Sequence, residues 1–513
     1  MISSAIIVSA IVVLSMSVAT GSAVRQTVPV VALAVAAALV HNRIVAWPAL
    51  LTTLIVVFLF VPIRRYSIAG NLPFQLEPYR LLVAFVGAGW LASLLVDSRV
   101  RLRKSGLEGP LLLIIVVILA SDVVNTGRVG DLSLQADVAK RLTFFASFIV
   151  VFYVIVSLIR SQREIEILIR ALVASAAALS ILGVLERITG YNVFNHLAGT
   201  VPLLGRASIP YTLVHPRGRL RVYASAENPI ALGAVFVMLL PLAVYLARTT
   251  RQRRWWIAAA LVTLGTLATV SRTAVVMLVV AAVVMLRLCT TNVKRLWPAI
   301  IPVLLAAHFA LPGTLGSLKD SFFPRGGLIS EQEAGKGTYG SGRLADLGPS
   351  LHEFSRRPVL GEGFGTRITD KGPHQNASIL DDQWLATLLE TGLTGAFAWV
   401  WLLARFFRRM SCEARIDNTS RGLLCGALAA SVAALAVGML GFDAFSFAQA
   451  TLVLFMLLAF GSSLTSDRHA WESRRVRRVA SAESQGAMAT APLSGRHRAG
   501  SARWASCHKV REG

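Results

Sequence analysis

The chain reads SGRLADLGPSLHEFSRRPVLGEGFGT over residues 341–366 and PHQNASILDDQWLATLLETGLTGAF over residues 373–397. The first stretch and nearly all of the second lie in the interval from about 313 to 395, the only long polar interval between hydrophobic segments apart from the tail. This interval gathers cationic and titratable side chains ahead of a new apolar helix: Arg343, His352, Arg356, Arg357, His374, Asp381, Asp382 and Glu390. Among apolar segments, a long loop of this composition is where chemistry is expected.

The rest of the chain has the composition of a membrane protein. Of its 513 residues, 55% are hydrophobic and 15% are charged, and the mean hydropathy is +0.63. Apolar runs of about 18–22 residues recur, each long enough to cross ~30 Å of hydrocarbon. The sequence therefore predicts an all-α polytopic integral membrane protein with about 12–14 transmembrane helices and one long extracytoplasmic loop containing short helices.

The first apolar run, residues 6–19, has neither a basic n-region nor a clear cleavage site, so we expect a retained span. About fourteen spans are predicted, with centres near residues 12, 34, 54, 88, 116, 150, 175, 238, 262, 280, 303, 394, 431 and 453.

Basic residues in alternate connections place those connections and both termini in the cytoplasm by the positive-inside rule. They also account for much of the net charge of +24, which is therefore not a sign of nucleic-acid binding. The predicted regions are N-terminal transmembrane helices 1–189, an extracytoplasmic basic segment 190–228, central transmembrane helices 229–312, the long extracytoplasmic loop 313–380, C-terminal transmembrane helices 381–464 and a disordered basic cytoplasmic tail 465–513.

The titratable side chains give no sign of a metal centre. The four cysteines have no zinc-ligand spacing and none lies in the long loop. No acidic cluster has the pattern of a magnesium or manganese site. We therefore expect no metal and no cofactor.

Arginines occur on the side of the membrane where the positive-inside rule disfavours them. Arg219 and Arg221 lie in the outward segment 190–228; the alternative is an exposed basic loop that the topology tolerates.

Read as one helix, residues 255–286 would measure about 48 Å, too long for one crossing. Two spans joined by a tight turn at Ser271–Thr273 fit better, with Arg272 at the outer face; snorkelling is the alternative explanation for that arginine.

Such arginines are suited to binding a lipid-linked pyrophosphate, because a guanidinium group binds two phosphate oxygens at once and stabilises the departing anion. A transfer reaction also needs a base for the acceptor hydroxyl, and His374, Asp381 and Asp382 are the candidates, ahead of His352. Capping of the following helix is an equal explanation for the two aspartates.

Three other features have structural interpretations. Residues 361–365, GEGFG, do not follow a strand of a βαβ unit, so a tight turn is predicted rather than a nucleotide loop. Glu390 either supports helix packing or lies in a wet cleft. Asp443 is interpreted first as a turn residue and second as a site residue.

SRTA at 271–274, RRPVLGEGFG at 356–365 and LATLLETGLTG at 385–395 are similar in order and spacing to motifs of the O-antigen ligase and O-antigen polymerase family. LERITGYNVF, ENPIALG and GFDAFSFAQATLVLF also resemble its members, so the resemblance covers roughly residues 185–460. It implies a metal-independent, all-helical glycosyltransferase. The implied donor is a glycan on undecaprenyl pyrophosphate at the outer face of the bacterial plasma membrane.

The resemblance also assigns residues. Arg219 or Arg221 matches one pyrophosphate-binding arginine of the family, Arg272 matches the other, and Arg343 matches the loop arginine before the glycine-rich turn. Ligases usually carry a His-Asn pair where this chain has Asp381 and Asp382. His374 is the histidine nearest in sequence, so either Asp381 or His374 is the implied base.

The implied partners are a lipid-linked oligosaccharide, a glycan or lipid acceptor, and membrane lipids, without nucleic acid. A polymerase and a ligase both fit. The alternative is a transporter or flippase of lipid-linked sugars, which would be expected to bury ionisable residues at mid-membrane. A non-catalytic scaffold would leave the outward arginines unexplained.

Overall fold

A computed structural model of the chain describes residues 47–68, 77–97, 100–199, 204–206, 221–289, 316, 343–369, 376–377 and 380–465. The described helices are α1 (Trp47–Phe60), α2 (Pro78–Val96), α3 (Glu108–Val124), α4 (Thr126–Asp131), α5 (Gln135–Leu158), α6 (Gln162–Thr189), α7 (Pro229–Thr250), α8 (Arg253–Ala268), α9 (Arg272–Leu288), α10 (Arg343–Arg356), α11 (Gln383–Ile416), α12 (Ser420–Gly438) and α13 (Ala448–Thr465). Two short strands, β1 (Tyr66–Ile68) and β2 (Leu204–Arg206), pair antiparallel.

Hydropathy predicted the positions of helices correctly in the described part of the chain. There, seven helices are long and apolar enough to cross a membrane: α2, α5, α6, α7, α11, α12 and α13. The protein is thus an all-α polytopic membrane protein, as predicted. A described helix contains each of the predicted centres near 54, 88, 116, 150, 175, 238, 262, 280, 394, 431 and 453. The centres near 12, 34 and 303, most of the long loop and the tail lie outside the described residues.

Two apolar helices form the middle of the bundle. α7 is buried along most of its length, and α13 is buried at every residue. α7 packs against α6, α8, α9 and α12, while α11 packs against α3 and α12. Because lipid and helix side chains are equally apolar, such packing depends on close van der Waals contact between the helices.

Local signals fix the helix ends. α6 begins with a capping box, in which the Ser161 hydroxyl accepts from Glu164 N–H and the Glu164 carboxylate accepts from Ser161 N–H. It ends at Gly190, whose φ of 72° is the left-handed conformation of a C-cap. Asn228 caps α7, and Pro229 occupies its first turn.

The helices alternate in direction, so the bundle has two ends. At the end we call the basic end, Tyr245 donates to Glu166 over 2.7 Å and Arg405 donates to the carbonyl of Gly106 over 2.8 Å. At the other end, which we call the cleft end, lie the 221–228 segment, the turn before Arg272 and the loop after α12. The candidate site is at the cleft end.

Candidate functional site at the cleft end

A cleft opens where α3, α5 and α11 meet the segment 364–369 and the loop between α12 and α13. Its empty volume is about 800 Å³, a figure that includes the opening to solvent. Four charged side chains line it: Arg141, Arg367, Glu390 and Asp443. Aromatic side chains complete the wall, among them Phe145, Phe364, Trp399 and Phe445. A mainly apolar wall with a few converging polar groups is the usual form of a small-molecule site.

A break in α11 shapes one side of the cleft. Gly392 interrupts the helix with φ 68° and ψ −166°, a conformation open essentially only to glycine. The turn at residues 358–363 fills the break: Glu362 N–H donates to the Leu389 carbonyl over 2.8 Å, and Leu393 N–H donates to the Pro358 carbonyl over 2.8 Å. The motifs RRPVLGEGFG and LATLLETGLTG are therefore two halves of one hydrogen-bonded unit.

Close backbone contact explains the glycines in both halves. A Cβ atom on Gly361 would lie 2.5 Å from the Glu390 carbonyl carbon, and one on Gly392 would lie 2.2 Å from the Val359 carbonyl oxygen. Both residues have a φ of 68°. Residues 361–365 thus form a tight turn, as predicted, and its role is to pack against α11.

Helix α3 holds this unit in place. The Ser121 hydroxyl lies 2.6 Å from the Leu360 carbonyl and 2.8 Å from the Glu390 carbonyl, and the Asn125 amide donates to the Gly361 carbonyl over 3.1 Å. Gly363 N–H also donates to the Glu390 carbonyl, over 3.2 Å. The backbone at Glu390 is therefore fixed from two sides while its side chain lines the cleft.

The start of α11 carries the predicted catalytic aspartates. The Asp382 carboxylate accepts from Leu385 N–H over 3.0 Å, so Asp382 is the N-cap, the structural alternative considered from the sequence. Asp381 is half-buried beside Leu380, which lines the cleft. Gln383 ties this start to the next loop, since its amide oxygen accepts from Phe445 N–H over 2.6 Å.

Asp443 lies in the loop between α12 and α13 and lines the cleft. Its carboxylate accepts from the Ser446 hydroxyl. Burial raises the pKa of Asp443, whereas the Ser446 hydrogen bond and the charges of Arg141 and Arg64 act in the opposite direction. Asp443 is thus both a turn residue and a cleft residue.

The Arg221 segment is clamped at the same end. The Arg65 guanidinium donates to the carbonyls of Ala224 and Ala226 and stacks on the Tyr223 ring at 4.6 Å. From α6, Glu186 accepts from Ala224 N–H over 2.9 Å. Arg65 is buried, and burial lowers the pKa of its guanidinium. Arg221, at the start of this segment, is half-buried.

The predicted break within residues 255–286 is present, but the turn lies at residues 269–271, just before Arg272, rather than at 271–273. α8 ends at Ala268 and α9 begins at Arg272, with Ser271 capping the new helix by accepting from Ala274 N–H over 3.2 Å. Arg272 is half-buried in the first turn, where the helix dipole disfavours a cation unless an anion is near. Thr273 donates to the Gly441 carbonyl over 3.3 Å, which joins this turn to the Asp443 loop.

None of the predicted catalytic or pyrophosphate-binding residues that the structure describes is among the residues lining the cleft. Arg219 and His374 lie outside the described residues. Arg343 begins α10, and its side chain is not described. His352 is exposed on α10. Among the described residues, no group of three or more His, Cys, Asp and Glu side chains is placed to hold a metal ion.

Sequence reasoning did not single out Arg141 or Arg367. Arg141 lies in α5, where a cation near a span end carries no distinctive signal. Arg367 pairs with Glu353 of α10, a contact that only the folded loop reveals. The glycines around Glu390 were the one available signal for a distorted helix at the site.

Comparison with known proteins bears on the same region. Residues 257–400 match the family model described as O-antigen ligase. This range contains the Arg272 turn, the 358–363 turn and Glu390. No curated protein matches the chain significantly. The resemblance to the O-antigen ligase and polymerase family is thus confirmed over residues 257–400.

Proposed function

We propose that this protein transfers a glycan from an undecaprenyl-pyrophosphate donor at the outer face of the bacterial plasma membrane, as a polysaccharide polymerase or ligase. The family match supports a role in polysaccharide biosynthesis of this type. The donor, the outer face and the cytoplasmic termini belong to the proposal. The donor is the one that the resemblance to the family implies, and the outer face and the termini are inferred from the distribution of basic residues.

One observation carries the proposal: the turn before Arg272 and the polar cleft both contact the loop between α12 and α13. Thr273, next to Arg272, bonds to Gly441, and Asp443 lines the cleft two residues further on. Transfer from a pyrophosphate needs both a cationic site for the leaving group and a polar site for the acceptor. An arginine at a helix N-terminus suits the first need, because free N–H groups and a guanidinium favour the same anion.

In this proposal, Arg272 and Arg221 hold the pyrophosphate and stabilise it as it departs. Arg65 and Glu186 position the Arg221 segment, because they fix the carbonyl and N–H groups of the residues that follow it. Arg219 and Arg343 would extend the binding surface for the donor. The acceptor would be another repeat unit for a polymerase, or a lipid such as lipid A core for a ligase.

A reconstituted transfer assay tests the proposal. The purified full-length protein in liposomes receives lipid-linked oligosaccharide prepared from the host, with EDTA present. Longer lipid-linked chains are expected for a polymerase, and loss of donor only when a second acceptor is added is expected for a ligase. If the donor stays intact with every acceptor but reaches the opposite leaflet, the protein is a flippase and the proposal fails.

A further inference from the structure

We infer that the cleft binds the hydroxyl-bearing acceptor sugar of this reaction and that the carboxylate of Glu390 takes the proton of the attacking hydroxyl, an assignment that rests on the proposed function. The sequence assigned that proton to Asp381 or His374.

Glu390 is the carboxylate in the cleft with full capacity to accept hydrogen bonds. Within the described residues, its side chain makes no hydrogen bond and no ion pair. The other carboxylate of the lining, Asp443, already accepts from Ser446. Asp382 accepts from Leu385 N–H as a helix cap, and neither Asp381 nor Asp382 lines the cleft. A base must have a free lone pair within reach of the proton it removes.

The neighbouring polar groups are bonded within the protein. The Gln383 amide bonds to Phe445 N–H and to the Thr387 hydroxyl, and the hydroxyls of Thr387 and Thr391 each donate to a carbonyl one turn back. Among the charged lining residues of the described structure, Arg141 and Glu390 alone lack a hydrogen-bond partner. A ligand in the cleft would therefore meet one strong donor and one strong acceptor.

The break in α11 gives Glu390 its position. The Glu390 carbonyl is held by Ser121 and Gly363 rather than by a following turn of helix. This arrangement fixes the backbone to which the carboxylate is attached without using the carboxylate. A fixed backbone with an uncommitted side chain is the construction that keeps a catalytic group in place.

The charged residues of the cleft disfavour it as the site for the pyrophosphate. Arg367 is paired with Glu353, which leaves Arg141 facing Glu390 and Asp443. Asp122 adds a further negative charge near Glu390. A pyrophosphate would meet more carboxylates than free guanidinium groups, whereas neutral hydroxyls can bond to both kinds of side chain.

The aromatic wall suits a sugar ring. The rings of Trp399 and Phe445 lie with centroids 4.2 Å apart, and Phe145 lies 6.3 Å from Trp399 and 6.1 Å from Phe364. A pyranose presents C–H groups on its faces and hydroxyls at its rim. Apolar aromatic surfaces beside an arginine and a carboxylate match both parts of such a ring.

The step balances as a simple displacement. The acceptor hydroxyl gives its proton to the Glu390 carboxylate while its oxygen bonds to C1 of the donor sugar. The bond from C1 to the pyrophosphate oxygen breaks, and its electron pair leaves with undecaprenyl pyrophosphate. Arg272 and Arg221 stabilise that leaving group, and no co-reactant is needed.

The test compares Glu390→Gln, Glu390→Asp, Asp381→Asn and His374→Ala in the liposome assay, using the host lipid-linked oligosaccharide and the acceptor that the wild type uses. Glu390→Gln should lower kcat by about 100-fold or more with little change in donor KM. Glu390→Asp should restore part of the rate, and Asp381→Asn and His374→Ala should each keep most of the wild-type rate. Asp131→Asn is the matched control, because Asp131 is an exposed carboxylate at the same end.

A wild type without transfer would refute the proposed function itself. With an active wild type, a Glu390→Gln rate within about twofold of normal would overturn the inference, as would equal loss in Glu390→Asp and Glu390→Gln. Trp399→Leu gives a second readout that does not depend on the base. It should raise the KM for the acceptor and leave the KM for the donor unchanged, and an equal rise in both would overturn the acceptor assignment.

Discussion

Gly392→Ala should separate the two halves of the unit formed by the 358–363 turn and the break in α11. The new Cβ would lie 2.2 Å from the Val359 oxygen and 2.3 Å from its carbon, so the turn must move away. The backbone conformation itself costs an alanine about 1–3 kcal/mol. Losing two of the hydrogen bonds that join the turn to α11 costs about 1–3 kcal/mol more.

Together these effects lower the free energy of local opening by about 2–6 kcal/mol. Since about 1.4 kcal/mol is a factor of ten, amide protection should fall at least about 30-fold. Hydrogen exchange of the protein in nanodiscs, read on peptides covering 358–363 and 389–394, measures this change. The N–H groups of Glu362 and Leu393 report it directly, because both donate across the unit.

Gly127→Ala is the matched control, since no atom lies within 4 Å of the position of its new Cβ. Gly127 is inside α4, where alanine favours the helix, so exchange should stay the same or slow slightly. Unchanged protection in Gly392→Ala would refute the pairing of the two motifs as the reason for their glycines.

Three further predictions concern the charged residues of the cleft end. Arg272→Ala and Arg221→Ala are each expected to lower transfer by about 100-fold or more at normal abundance in the membrane, because the pyrophosphate loses a guanidinium; the assay is formation of lipid-linked product. Arg65→Lys should lower stability by about 1–3 kcal/mol, because lysine cannot donate to two carbonyls in a fork; thermal unfolding in nanodiscs measures it. Burial raises the pKa of Asp443, so its carboxyl stabilises the fold at low pH and this contribution is lost as pH rises through the folded-state pKa; Asp443→Asn should therefore unfold at a temperature that depends less on pH as the pH rises above about 4.

Each of these has a contradicting outcome. Arg163 is exposed at the basic end, and a loss of transfer in Arg163→Ala equal to that in Arg272→Ala would show a general effect of charge. Equal stability of Arg65→Lys and wild type would contradict the role of Arg65 in holding the Arg221 segment. A steeper pH dependence in Asp443→Asn than in wild type would contradict the raised pKa.

The positions of the helices could be predicted because hydropathy alone decides where a chain crosses a membrane. The length argument over residues 255–286 also found the turn at Arg272, since one helix of that length cannot lie in one bilayer. The pairing of β1 with β2 could not be found in this way. It joins two three-residue segments that are distant in the chain, and neither has the length or alternation of a strand.

The cleft could not be predicted from the sequence, for a different reason. Arg141 and Glu390 come together only after α5 and α11 pack against the same loop, and neither residue signals the other in sequence. Hydropathy also did not show the break in α11, because residues 383–416 have the hydropathy of one span whether or not the helix is continuous. The partner for that break lies in the 358–363 turn, and only tertiary structure shows the fit.

The enclosure of α13 has a consequence for biogenesis. α13 follows every other described helix in the chain, yet all of its residues are buried, with Phe455 among the rings of α5 and α11 and Gln449 bonded to the backbone at Phe58. The helices made before it therefore enter the membrane before the element that they surround. Until translation delivers α13, lipid or the insertion machinery must occupy its place. The contacts that α13 makes with the rings of α5 and α11 can therefore form only after all the other described helices have been made.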